Sequence, residues 1–296
     1  MKNKKLVISL IIILSILVVG LIILFIGLLT NKITLPFFKV NLNYRISENL
    51  IVDNKYENVF STININSSIS NIEIKQTNDN QIALQIYGSK DELNLQDTNN
   101  TLNISYKENG CKGLCFNEIG AKIIIYIPTN FANEINITND YGKIYIGDLS
   151  QVSFNIEASN GDLKINKITS LELKADYLDI EILDVNSANI TADCSDIEIK
   201  KIADATIKSD LGDIEIKNLT NYIDLRSDCG DIEIENLNIG KDSSIENNLG
   251  DITIDYTNDI YIDSQVDLGQ NEIARNNRLA KVTLKIYNDC GDVEVG

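Results

Sequence analysis

Residues Asp210 to Asn236 read DLGDIEIKNLTNYIDLRSDCGDIEIEN and contain the same short unit twice. The unit Asp-Leu-Gly-Asp-Ile-Glu-Ile at 210–216 returns as Asp-Cys-Gly-Asp-Ile-Glu-Ile at 228–234. Variants of it continue from about residue 140 to the last residue. Self-similarity of this kind is the signature of a repeat architecture, so the repeat decides the fold class before any other feature.

Each copy of the repeat contains two short strands separated by turn residues. Apolar residues recur two apart, as Ile197 and Ile199 do, which is typical of half-buried strands. The copies, aligned on the second Asp of the unit, begin 17 to 22 residues apart at Lys143, Asp162, Asp179, Asp196, Asp213, Asp231, Asp251, Gln270 and Asp292.

One copy cannot bury its apolar face alone, whereas stacked copies pair each strand with its equivalents and form a continuous core. The sequence therefore predicts an all-β fold, a single-stranded β-solenoid of 17–22-residue rungs. A β-propeller is the alternative, but its blades need about 40–50 residues and no two-copy period is present.

A long apolar segment precedes the repeats. Leu6 to Leu29 is almost entirely Leu, Ile and Val, and about 20 apolar residues suffice for a helix to cross a bilayer. Three lysines lie before it, so the positive-inside rule keeps the N-terminus in the cytoplasm. A cleaved signal peptide is the alternative, but the run exceeds the usual apolar core of about 7–15 residues.

We therefore expect a single-pass protein of the cell membrane that contacts the lipid bilayer through residues 6–29. The expected parts are a cytoplasmic stub at 1–5, a transmembrane helix at 6–29, a stalk at 30–55 and an extracytoplasmic solenoid domain at 56–296.

Charge and composition exclude several functions. The chain has 43 acidic and 26 basic residues, a net charge of −17, which argues against nucleic acid because that affinity depends on cationic contacts to phosphate. The chain contains no His, so Ser-His-Asp and Cys-His catalysis cannot occur within it. We therefore expect that the protein is not an enzyme and that it uses no cofactor. A pair of carboxylates acting on a polysaccharide remains a minor alternative.

The acidic residues of the repeat form rows if the Ile side chains point inward. Like charges then stack about 4.8 Å apart, which destabilises the fold unless something offsets it. Solvation and lysines such as Lys200 and Lys217 are one account. Bound Ca²⁺ is the other, because Ca²⁺ takes clustered carboxylate oxygens, and Asp196, Asp213 and Asp231 are then the candidate ligands.

The five cysteines fall into two groups. Cys194, Cys229 and Cys290 occupy one repeat position and are expected to be small, free, apolar core residues. Cys111 and Cys115 lie in one polar loop on the oxidising side of the membrane, where a local disulfide is expected. A metal site at this loop is the alternative, but no further Cys or His lies near it.

The order of these features resembles a bacterial family of candidate adhesins of unknown function. The resemblance rests on the apolar segment, a strand region ending at Tyr126 to Pro128, and Gly-Asp-Ile-x-Ile repeats to the C-terminus. It covers roughly residues 60–296, and the Cys loop and the polar insertion Asn271 to Lys281 depart from it. The family implies a right-handed solenoid at the cell surface and supplies no catalytic residue.

Two functions remain. The first is an anchored, non-catalytic scaffold or adhesion module of the cell envelope that binds cell-wall polymer or protein along its flat faces. The alternative is a regulatory subunit that acts on an envelope-stress sensor, a membrane protein, through its anchor and stalk.

Overall fold

The structure is a computed structural model that describes residues 45–57, 60–107 and 119–296. The expected transmembrane helix at 6–29, most of the expected stalk, and the expected disulfide of Cys111 and Cys115 lie outside the described residues. The described residues from Ile46 onward, apart from Ile119, belong to one compact unit, which contains the repeats.

Most of the described residues lie in β-strands, which confirms the all-β prediction. A single 3-10 turn, Lys90–Glu92, interrupts the strands between β4 and β5. The strands are β1 Arg45–Ile46, β2 Leu50–Glu57, β3 Thr62–Thr77, β4 Gln81–Tyr87, β5 Leu93–Thr98, β6 Thr101–Tyr106, β7 Ile119–Pro128, β8 Glu134–Cys194, β9 Ile197–Ile199, β10 Ile202–Leu211, β11 Ile214–Ile216, β12 Leu219–Cys229, β13 Ile232–Ile239, β14 Ser243–Leu249, β15 Ile252–Tyr256, β16 Tyr261–Leu268, β17 Asn271–Ile273, β18 Thr283–Cys290 and β19 Val293–Val295.

A rung consists of one long strand, a corner and one short strand, as in β10 followed by β11. The long strand β10 pairs in parallel with β8 on one side and β12 on the other. The short strand β11 pairs in the same way with β9 and β13. Each strand therefore lies beside its equivalents in neighbouring rungs, as the repeat predicts, while the handedness of the winding remains a prediction.

The core is a set of isoleucine rows running through the stack. Ile214 lies between Ile197 and Ile232 in the short-strand register, and all three side chains are buried. A second row next to it contains Ile199, Ile216 and Ile234. Burial of these rows is what holds the rungs together, since a fully buried Ile contributes about 1.5–3 kcal/mol relative to an exposed one.

The last two rungs are stacked out of chain order. β14 pairs with β18 and β15 with β19, so the C-terminal strands lie directly on the rung of β14 and β15. β16 and β17 then pair with the outer side of β18 and β19. The terminal rung is consequently residues 261–273, and the C-terminal rung 283–295 is inserted beneath it. The order of stacking therefore departs from the order along the chain at this end.

The terminal rung closes the core with polar groups. Ser264 and Asn271 stand in register with the inward residues Ile286 and Val293, and the Ser264 hydroxyl hydrogen-bonds the Asn271 side chain at 3.0 Å. The amide side chain of Asn276 pairs with both the N–H and the carbonyl of Ile262, at 3.0 and 2.8 Å. Polar capping of this kind keeps the end of a repeat stack from exposing its apolar core.

Antiparallel strands cover the other end of the stack. β3 still pairs in parallel, with the first rung of β8 on one side and with β6 and β7 on the other. β5 pairs antiparallel with β6, and β4 lies antiparallel between β7 and β2. β2, Leu50–Glu57, spans the expected boundary between stalk and domain. Within residues 45–57, 60–107 and 119–296, no helix is long and apolar enough to span a bilayer.

Candidate functional site

The corner between the long and the short strand requires glycine in seven rungs. Gly212 and Gly230 have φ of +127° and +138°, which residues with a Cβ rarely adopt. A Cβ on Gly230 would also lie 2.1 Å from the carbonyl oxygen of Gly212 in the rung below. The Gly of the repeat is therefore required by the backbone conformation of the corner.

The aspartate after this glycine has a structural partner. Oδ1 of Asp196 accepts a hydrogen bond from the backbone N–H of Asp213 at 3.1 Å, and Oδ1 of Asp213 accepts one from Asp231 at 2.9 Å. The same contact continues to Asp251, Asp292 and Gln270 at 2.8 Å each. We call Asp196, Asp213, Asp231, Asp251 and Asp292 the aspartate row. At each of these corners one backbone N–H has no strand partner, and a carboxylate of the aspartate row accepts its hydrogen bond.

The structure thus brings the three candidate calcium ligands together as neighbours in the aspartate row. All three are exposed, and each already accepts an N–H from the adjacent rung. Across the described ranges, no group of three or more acidic or Cys side chains has the geometry of a metal site. Binding of Ca²⁺ remains a prediction. The hydrogen bonds to backbone N–H groups account for the aspartates without Ca²⁺.

A second acidic row lies on the short-strand face. The row places Glu181, Glu198, Glu215, Glu233, Glu294 and Glu272 in register, with Thr253 between Glu233 and Glu294. Lys217 hydrogen-bonds Glu215 at 3.0 Å, and Glu198 and Glu235 lie 3.9 Å from its ammonium group. The Glu215 hydrogen bond, followed by the charges of Glu215 and Glu235, raises the pKa of Lys217. This lysine offsets part of the repulsion, as expected.

A groove of about 750 Å³ runs along this short-strand face. Lys143 and Lys164 line one end, where Lys164 pairs with Glu181 at 2.7 Å. Carboxylates, including Asp196 and Glu215, line the other end. The surface is strongly acidic over several rungs, so it suits cationic ligands and repels anionic ones.

The expectation that Cys194, Cys229 and Cys290 are core residues is wrong. Cys194 and Cys229 are half-buried, and Cys290 is exposed. Leu211 and Leu249 at the same repeat position are 49% and 51% exposed. The alternation of the long strand ends at the corner, so the residue before the glycine turns outward instead of continuing the inward row. All three thiols are free, as expected.

A second groove, of about 580 Å³, lies on the long-strand face. Its lining is polar and only partly charged, and includes Ser153, Ser170, Glu172, Asn189 and Tyr222. We call it the long-strand groove. Sequence reasoning missed it, although its residues are outward-facing polar positions that recur about 17 residues apart.

Hydrogen bonds between rungs hold the groove's side chains in place. The Asn189 amide donates to both carboxylate oxygens of Glu172, at 2.9 and 3.0 Å, and the Ser170 hydroxyl donates to Ser153 at 2.7 Å. At one end, Asn221 has a φ of +124° and its amide donates to Asp204 at 2.6 Å. Such a conformation is rare outside glycine and is found most often where surrounding structure imposes it.

Comparison with solved structures finds chains that match most of this sequence at low identity. A candidate adhesin from Parabacteroides distasonis is 15% identical with a TM-score of 0.45, covering 85% of this chain and 100% of its own. A candidate adhesin from Bacteroides fragilis is 19% identical with a TM-score of 0.35, covering 86% and 100%. A candidate lipid-binding protein from Parabacteroides distasonis is 15% identical with a TM-score of 0.43, covering 86% and 100%.

No curated protein matches the chain. A family model does match, and it spans residues 60–295, which includes every strand from β3 to β19. The stacked Gly-Asp corners, the isoleucine rows and this match lead to one conclusion: the chain belongs to the Toastrack DUF4097 family.

Proposed function

We propose that the chain is a membrane-anchored, non-catalytic binding module that holds a hydroxyl-rich polymer of the cell envelope in its long-strand groove. The apolar segment at 6–29, with lysines before it, supports an anchor whose folded domain lies outside the membrane. The domain then stands where envelope polymers are accessible.

The observation that carries this proposal is the chemistry of the long-strand groove. Its hydroxyls, amides and carboxylates supply both donors and acceptors, which is what a sugar hydroxyl needs. Because the lining repeats with the rungs, about every 4.8 Å, it suits an extended polymer better than a compact ligand. Tyr222 adds a rigid, amphipathic ring against which the apolar face of a sugar can pack.

Charge restricts the polymer class. Glu134, Glu172 and Asp204 line the groove, and the whole chain carries −17. Anionic polymers such as those rich in phosphate would be repelled, whereas a neutral glycan would not. The glycan strands of the wall are therefore the proposed ligand, and the short-strand face, with its rows of carboxylates, is not their site.

The test is co-sedimentation of the full-length chain, in neutral detergent micelles, with purified insoluble peptidoglycan. The double variant Glu172→Ala, Asn189→Ala removes a hydrogen-bonded pair together, so neither partner is left unpaired. We expect its affinity to fall at least about tenfold, the equivalent of about 1.4 kcal/mol. Glu198→Ala on the opposite face removes the same charge and serves as the matched control.

Unchanged binding of the double variant, or equal loss in the control, would overturn the assignment of the groove. The anchor is tested separately by adding protease to intact protoplasts. The folded domain should be digested from outside, and full protection would contradict the proposed topology.

A further inference from the structure

An apolar row runs along the corner where the long strands end. We call Cys194, Leu211, Cys229, Leu249, Cys290 and Leu268, in the order in which they are stacked, the corner row. Leu211 pairs in register with Cys194 and Cys229, and Cys290 with Leu249 and Leu268. The backbone bond from Gly230 N–H to the Leu249 carbonyl joins the two halves at 2.9 Å. The row therefore continues through six successive rungs.

The corner row is accessible to a partner. Leu211, Leu249 and Leu268 are 49%, 51% and 70% exposed, and Cys290 is exposed as well. Two tyrosines at the same repeat position, Tyr141 and Tyr177, are 49% and 62% exposed. Single exposed apolar residues need no explanation, but a contiguous row of them is typical of an interaction surface.

Acidic residues flank the corner row on both sides. On the short-strand side lies the aspartate row, one residue away along the chain, with Gln270 in the equivalent position beside Leu268. On the long-strand side the preceding residues are Asp193, Asp210, Asp228, Asn248, Asp289 and Asp267. The surface is thus a narrow apolar strip between two rows of carboxylates.

This charge pattern selects the occupant. Two copies of the chain facing each other through this strip would bring four rows of carboxylates together, and like charges at short range disfavour that pairing. An anionic membrane surface or a nucleic acid is repelled for the same reason. A partner with an apolar seam and cationic side chains on both sides of it is complementary to the strip.

The spacing of the rungs decides between a helix and a strand as the partner. Five steps of about 4.8 Å separate Cys194 from Leu268, roughly 24 Å in all. On a helix, side chains of one face recur about every 5.4 Å, which is about 27 Å over five turns. This length differs from the length of the corner row by less than one rung. On an extended strand, side chains of one face recur about every 6.7 Å, which is about 33 Å over five repeats. This length exceeds the length of the corner row by nearly two rungs.

We propose that the corner row and its flanking aspartates form a docking site for a cationic amphipathic helix lying along the solenoid axis. The leucines contact the apolar seam of the helix, and the two rows of carboxylates pair with lysines or arginines on either side of that seam. This site is on a different surface from the long-strand groove and is independent of glycan binding.

The probe is a synthetic 21-residue peptide of three LQQLKQK heptads, which is about 31 Å long as a helix. One control peptide has the same composition scrambled, so that the seam is lost, and a second has Glu in place of every Lys. The assay follows alkylation of Cys290, a thiol within the corner row, by iodoacetamide in the full-length chain, with mass spectrometry assigning the modified residue. Saturating seam peptide should slow alkylation at least fivefold, and neither control peptide should.

Affinity is measured by fluorescence anisotropy with the full-length chain in neutral detergent micelles and empty micelles as the reference. Leu211→Ser and Leu249→Ser should each weaken binding roughly tenfold, since each removes about half a leucine of contact area. Leu279→Ser is the matched control, because Leu279 is 92% exposed and lies in a loop away from the row. Melting curves confirm that each variant is folded.

Equal protection of Cys290 by the seam and scrambled peptides would overturn the proposal, because charge alone would then explain binding. Affinity unchanged in both leucine variants, or lost equally in Leu279→Ser, would overturn it as well. The peptide comparison uses the unmodified protein, so it decides the matter even if a leucine variant fails to fold.

Discussion

Replacing one carboxylate of the aspartate row tests why the repeat contains Asp after Gly. Asp213 accepts the N–H of Asp231 at 2.9 Å, and no backbone carbonyl replaces it if the side chain is shortened to Ala. An unpaired amide costs about 1–3 kcal/mol, and the lower end applies here because both residues are exposed and water can reach the N–H. Removing the charge of Asp213 also relieves its repulsion with Asp196 and Asp231, which stabilises the fold by about a few tenths of a kcal/mol.

We therefore expect Asp213→Ala to lower the free energy of unfolding by about 1 kcal/mol, a fall in Tm of about 2–4 °C for a domain of this size. Asp213→Asn should lie within about 0.5 kcal/mol of the natural protein, because its amide oxygen still accepts the N–H while the charge is gone. The protein already contains this arrangement, since the Asn71 side-chain oxygen accepts the N–H of Lys143 at 3.1 Å.

The assay is thermal and urea unfolding of the full-length chain, followed by far-ultraviolet circular dichroism at fixed ionic strength. Glu215→Ala is the control in the neighbouring row, where the carboxylate contacts Lys217 and not a backbone amide. If the Ala and Asn variants of Asp213 were equally stable, the hydrogen bond would contribute nothing. If the Ala variant were the more stable one, charge repulsion would outweigh the bond, and the structural account of the row would be wrong.

Three further outcomes are expected. Ile216→Asp should unfold the domain, because an unpaired charge in the fully buried isoleucine row is very costly, and a natural Tm would contradict the core assignment. Burial raises the pKa of Glu73, but the lysine hydrogen bonds, first that of Lys122, outweigh it and hold this pKa below 4.5. The stabilisation is therefore present above pH 4.5 and lost as the pH falls through the lower folded value, so Glu73→Gln should flatten the acid limb of the stability curve. Mass spectrometry after blocking free thiols should join Cys111 to Cys115, and free thiols at both would exclude the disulfide.

The architecture could be predicted because the same pattern of strand and corner residues recurs in most copies of the repeat. Ile at alternate positions, such as 214 and 216, fixes the inward face, and the 17-residue offset fixes which strands pair. Glycine at the corner follows from the same pattern. The pattern does not show where the inward-outward alternation of each long strand ends. Leu211 continues the two-residue period of the buried residues Ile207 and Ser209, yet it is half exposed. The deciding factor is the positive φ of Gly212, which turns the chain just beyond it.

The candidate binding surfaces were harder to predict than the fold. Glu172 and Asn189 are ordinary outward-facing residues in sequence, and only the register places one directly above the other. The aspartates were visible as rows, but their backbone partners were not, because those bonds depend on the corner geometry. Charge rows therefore suggested cation binding, while the structure gives the same carboxylates a role in satisfying backbone amides.

The order of the last rungs explains a regularity that the chain order hides. Along the sequence, the corner positions from 194 onward are Cys, Leu, Cys, Leu, Leu, Cys. In the order of stacking, they alternate strictly between Cys and Leu, because the C-terminal rung lies between the rungs of Leu249 and Leu268. The inserted rung also places the apolar residues Ile286 and Val293 inside the stack and leaves Ser264 and Asn271 at its end. Chain-order stacking would expose the apolar rung and bury the polar one, so the observed exchange is the arrangement that the hydrophobic effect favours.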